Sequence, residues 1–125
     1  VVIVGFISTV MHALLSILMP MRIEHIYTDV GLYVNGSGNG FINTIIDTFD
    51  AIGIKVLSPN NSFTNTAFTQ PASNSCIGFS DETDYTVING ANCSSPITLI
   101  KSTTANALTV KNITTYGTMV KDVEF

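Results

Sequence analysis

Charge is scarce in this chain. Asp, Glu, Lys and Arg make up 11% of its residues, against roughly 25% in an ordinary soluble domain. Only five residues are basic and they stand singly, which excludes nucleic-acid binding, since that requires clustered positive charge. Cysteine is nearly absent too. Cys76 and Cys93 stand alone, and both histidines lie far upstream, so a zinc site lacks its third and fourth ligands. The apolar start has no basic segment before it and no small-x-small cleavage site after it, so it reads as mature protein rather than a signal peptide.

Hydroxyls and amides take the place of charge. Ser and Thr supply about a fifth of the residues, and Asn is abundant, while the formal net charge is −4. A surface of this kind is typical of exported proteins. In an oxidising compartment Cys76 and Cys93 are expected to pair, closing a loop worth about 3 kcal/mol in the chain-entropy model. Two free buried thiols in a reducing compartment are the alternative.

The longest hydrophobic run comes first. Val1 to Met19 carries no charged side chain, and Pro20 and Arg22 follow at once. As a helix this segment reaches roughly 30 Å, the thickness of a bilayer's hydrocarbon core. Beyond it, Ile23, Ile26, Tyr27, Val30, Tyr33 and Val34 recur at helical spacing, so the rod becomes amphipathic, with a kink expected at Pro20. Asn35-Gly36-Ser37-Gly38-Asn39-Gly40 then ends the helix as a flexible turn. It lacks the Gly-Lys-Ser/Thr ending of a phosphate loop.

A second amphipathic helix is expected over about 41–52, with Phe41, Ile42, Ile45, Ile46, Phe49 and Ile52 on its apolar face. After Gly53 the pattern changes to short runs rich in β-branched residues. Ile54–Leu57, Thr66–Thr69, Ile77–Ser80, Tyr85–Ile88, Ile97–Lys101, Leu108–Ile113 and Tyr116–Val123 read as strands of an antiparallel sheet or small sandwich. No repeat period stands out. The expected fold class is α+β: a long N-terminal hydrophobic helix over 1–34, then a head over 35–125 with a helix at about 41–52 and a β-rich part over 54–125.

Few residues suggest chemistry. His12 sits inside the apolar run without a carboxylate beside it and is expected to hydrogen-bond a neighbouring helix. His25 beside Glu24 is expected to be solvated. Asp81, Glu82 and Asp84 form an acidic turn without the full Asp-x-Asp-x-Asp-Gly calcium loop. Asn35, Asn60, Asn92 and Asn112 open Asn-x-Ser/Thr sequons and are candidate glycosylation sites, with Asn35 favoured for its exposed loop. No nucleophile with a recognisable base and no metal triad appears, so neither catalysis nor a cofactor is expected.

Ser16-Ile17-Leu18-Met19-Pro20-Met21 resembles the stretch around the helix-breaking proline of many type IV pilins, both in residue type and in distance from the N-terminus. The order of long apolar helix and β-rich head is similar as well. The usual start of such subunits, which ends in Thr-Leu-Ile-Glu, is replaced by Val1-Val2-Ile3-Val4-Gly5. The resemblance implies a filament subunit, membrane-inserted before assembly, that self-associates through Val1, Val4, Phe6, Val10, Leu14, Ile17, Leu18 and Pro20 and displays its head at the cell surface. The alternative is a single-pass membrane protein of a cell or virus, with a small ectodomain that binds a partner.

Overall fold

Every strand pairing among the described residues is parallel. In a computed structural model, residues 2–4, 9–11, 17–18, 21–24, 29–103, 107–115 and 121–124 are described. They contain thirteen strands and no helix: β1 (Val2–Val4), β2 (Thr9–Met11), β3 (Ile17–Leu18), β4 (Met21–Glu24), β5 (Val30–Val34), β6 (Gly40–Asp47), β7 (Ile52–Val56), β8 (Ser62–Thr69), β9 (Ile77–Asp81), β10 (Val87–Cys93), β11 (Thr98–Ser102), β12 (Thr109–Thr115) and β13 (Lys121–Glu124). One sheet runs β1-β4-β6-β8-β10-β12, with β3 also on β6, and the other runs β13-β11-β9-β7-β5-β2. The chain crosses from one sheet to the other and back, climbing one strand on each circuit. This is a parallel β-solenoid.

The α+β expectation is therefore corrected. The apolar start forms β1, β2 and β3 where it is described. Strands buried in parallel sheets read as almost continuous hydrophobic runs, and periodicity does not separate them from a buried helix. Val4, Val10, Ile17 and Leu18 lie in these strands, whereas Val1, Phe6, His12, Leu14, Pro20 and His25 fall outside the described residues. Among the described residues no helix is long and apolar enough to cross a membrane. The membrane-spanning helix and the helical filament core fall with that observation.

The helix expected over 41–52 is β6 and the turn after it, for a more instructive reason. Asn43 and Thr48 have φ of 54° and 57°, and each left-handed residue resets the in–out alternation of an extended strand. Besides Asp47, the buried positions thus become Phe41, Thr44, Ile46 and Phe49, whose steps of three, two and three imitate helical spacing. Strands on either side of residue 34 pair with one another, β4 with β6 and β5 with β7.

The repeat is plain once the strands are stacked. Phe41, Phe63, Ile88 and Val110 stand in register, at steps of 22, 25 and 22 residues. Left-handed residues mark the corners of successive coils. Gly38, Asn60, Tyr85 and Ala107 hold one corner, and Asn43, Asn65, Gly90 and Asn112 hold another. Glycine and asparagine suit these positions because they enter the left-handed region at least cost.

Inward side chains stack along the solenoid axis. Phe41 lies on Phe63 at 4.9 Å and 9°, close to the spacing of neighbouring strands. Phe79, from the opposite sheet, meets Phe63 and Phe68 edge-on at 5.0 and 5.1 Å. Phe68 fills the room left by two glycines, since a Cβ on Gly53 would stand 2.5 Å from its ring and one on Gly78 would stand 2.9 Å away. The residues expected to form a flexible glycine-rich turn are tied across coils instead. Asn61 Oδ1 accepts from Asn39 N at 2.9 Å, and Asn61 Nδ2 donates to Gly36 O and Ser58 O at 2.8 and 2.7 Å.

Candidate functional site

The second corner places one left-handed residue per coil in a row along the axis, with an Asn side chain on the outer surface at three of the four. Four registered tetrads build it: Phe41-Ile42-Asn43-Thr44, Phe63-Thr64-Asn65-Thr66, Ile88-Asn89-Gly90-Ala91 and Val110-Lys111-Asn112-Ile113. In each, the first residue turns inward and the third takes the left-handed bend. Asn65 Nδ2 donates to Asn43 Oδ1 at 3.3 Å, and Asn112 Nδ2 donates to Asn89 Oδ1 at 2.6 Å. Both bonds run between side chains 22 or 23 residues apart in sequence.

Gly90 interrupts this ladder. It keeps the left-handed bend, with φ 83°, but offers no carboxamide, and a Cβ there would lie 2.7 Å from Asn65 Oδ1. The gap opens a groove of about 420 Å³ lined by Asn65, Gly90, Ala91, Asn92, Asn112 and Thr114. Its lining has three carboxamides and a hydroxyl, with neither charge nor an aromatic ring. Each carboxamide carries two N–H donors and one acceptor oxygen. Asn65 and Asn112 each spend one donor within the ladder, which leaves donors and acceptors side by side at the groove.

Two of the expected glycosylation sites, Asn92 and Asn112, meet at this groove. Asn35 and Asn60 lie elsewhere and are exposed, and Asn35 Oδ1 accepts from Ser58 Oγ at 3.3 Å. Asn43 and Asn65 were not among the expected site residues. The signal that could have found them is the recurring pattern of an apolar residue, any residue, then Asn or Gly.

The acidic turn comes apart in three dimensions. Asp81 is fully buried and accepts from Thr86 Oγ1 at 2.8 Å and Ser102 Oγ at 3.1 Å. Burial pushes its pKa up, and the two hydroxyls hold it down in part. Glu82 pairs instead with Lys55 at 3.4 Å. Among the described residues no group of three potential ligands could hold a metal ion.

Cys76 and Cys93 are buried free thiols. Cys76 Sγ donates to Asp50 O at 3.2 Å, and burial raises the Cys93 pKa. A separate ionic cluster joins the first coils. Arg22 reaches Glu24 at 2.8 Å and Asp47 at 2.6 Å, and Asp47 also accepts from Thr69 Oγ1 at 2.7 Å. The mutual pairing of these groups makes the cluster a clamp between strands.

The chain matches no family model, no curated protein and no solved structure.

Proposed function

We propose that the chain is a non-catalytic recognition module of an exported or surface protein, a solenoid that holds uncharged amide groups in fixed register for a ligand outside the cell. The interrupted asparagine ladder at Gly90 is the observation that carries this reading. Ladder bonds immobilise Asn65 and Asn112 before any ligand arrives, so little side-chain entropy is left to lose on binding. The groove holds no titratable group that could serve as general acid or base, which favours binding over chemistry. The low charge and the exposed sequons favour a place outside the cell, whereas the two free thiols are the state expected in a reducing compartment. Assembly through an apolar helix has no part in this proposal.

The test is a screen of small neutral amides, polyols and peptides against the full chain, read as amide shift changes in NMR spectra. Hits are expected to gather at Asn65, Asn92, Asn112 and their neighbours. Hits gathered on another surface, or none at all, would overturn the reading.

A further inference from the structure

Resting on that reading, we propose that the groove at Gly90 binds a neutral saccharide. The chemistry of the lining selects this class. An anionic ligand would have to shed water without a cationic partner, and none of the lining residues is basic, so desolvation would go uncompensated. A nucleobase or another flat aromatic ligand finds no ring to stack on. An aliphatic ligand would cover polar atoms with apolar surface and leave their hydrogen bonds unmade.

Adjacent hydroxyls of a sugar fit what remains. Each hydroxyl both donates and accepts, and so does each carboxamide and the Thr114 hydroxyl. Asn65 and Asn112 flank the gap from the coils on either side of β10, while Asn92 and Thr114 follow two residues after the bend on their own strands. The four polar groups are therefore spread along and across the axis, as a ligand with several hydroxyls on a ring requires. Ala91, inward-facing and buried, forms the floor beside Gly90.

Gly90 determines whether the groove exists. Asn holds the equivalent bend in three other coils, so Gly90→Asn suits the backbone while placing a fourth carboxamide where the ligand would sit. Its Cβ would stand 2.7 Å from Asn65 Oδ1, too close without a shift of that side-chain end, and 3.4 and 3.5 Å from the Asn65 backbone, which is ordinary contact. A swing of the Asn65 amide relieves this.

The experiment titrates the ¹⁵N-labelled full chain with maltotriose, triacetylchitotriose, trigalacturonate and the capped peptide acetyl-trialanine amide, each at millimolar concentration. At least one neutral trisaccharide is expected to shift the amides of Asn65, Gly90–Asn92, Asn112 and Thr114. Trigalacturonate should bind at least tenfold more weakly. Gly90→Asn should weaken the sugar at least tenfold with the rest of the spectrum unchanged. If Gly90→Asn does not fold, Asn112→Ala and Thr114→Val, both exposed positions, give the same reading with a several-fold loss. Equal or tighter binding of trigalacturonate overturns the inference. So does an unchanged affinity in these variants. Shifts at the groove with the peptide alone overturn the saccharide and leave the recognition surface standing. No shift at the groove with any of the four overturns the inference, and the fragment screen then decides the wider reading independently.

Discussion

Phe41 and Phe63 lie ring on ring, 4.9 Å and 9° apart, although 22 residues separate them. The contact forms because the chain returns to the same position one strand higher, where Phe41 and Phe63 are register partners. Phe63 also meets Phe79 edge-on, so it joins two coils of one sheet to the opposite sheet. Phe63→Ala should cost about 3–5 kcal/mol, the range for removing a fully buried aromatic side chain. Chemical denaturation of the two proteins measures this directly, and a loss below about 1 kcal/mol would mean that the stack is not formed.

Gly53 and Phe68 form the second testable pair. Gly53→Ala pushes a Cβ to within 2.5 Å of the Phe68 ring, and overpacking of this kind costs about 1–3 kcal/mol. Adding Phe68→Leu should recover part of that loss, so the double variant should be more stable than the two single losses predict. Strict additivity in a double-mutant cycle would show that the residues do not touch.

Asp81 makes stability depend on pH in an unusual direction for a carboxylate. Burial raises its folded pKa above the unfolded value, so the folded state holds the proton more tightly than the unfolded one. The stability contributed is present below the unfolded pKa of about 3.9 and is lost as pH rises through the folded value. The useful quantity is the difference between the chain and Asp81→Asn, because it isolates this one carboxyl group. Unfolding midpoints measured from acid to neutral pH should show the wild-type chain losing ground to Asp81→Asn as pH rises. A constant difference across that range would contradict the assignment.

The thiols offer a simpler test. Cys76 and Cys93 are buried and free, so neither should react with an alkylating reagent in the native state. Both should react once the chain is unfolded without reductant, and intact mass should rise by two alkyl groups. A mass that rises only after reduction would show the disulfide expected from an oxidising compartment.

Much of the strand placement could be read from the sequence, but its direction could not. The β-branched runs at 54–57, 77–80, 97–101 and 108–113 coincide with β7, β9, β11 and β12. The Asn, Gly, Ser and Pro residues between them signal a change of direction without saying whether the chain folds back as a hairpin or turns a corner. The repeat is masked by changes of length, since paired residues stand 20, 23, 22, 25 and 22 positions apart along one sheet and 23, 22, 25, 21 and 23 along the other. Asp47 to Ile52 joins β6 to β7, whereas Thr69 to Ile77 joins β8 to β9 with three more residues. That insertion gives the longest coil, with an offset of 25 residues in both sheets, and no fixed period survives along the chain. The groove is less legible still, because in the sequence Asn92 and Asn112 read only as sequons, and Gly90 matters through a side chain that it lacks.

The most direct test of the account is a through-space NMR map of the full chain at the second corner. The account predicts strand-to-strand contacts linking Asn43 to Asn65, Asn65 to Gly90 and Gly90 to Asn112, the neighbours set by the parallel registers. Helical contacts between residues three apart along 41–52, with none of those three links, would contradict the solenoid and everything built on its corner.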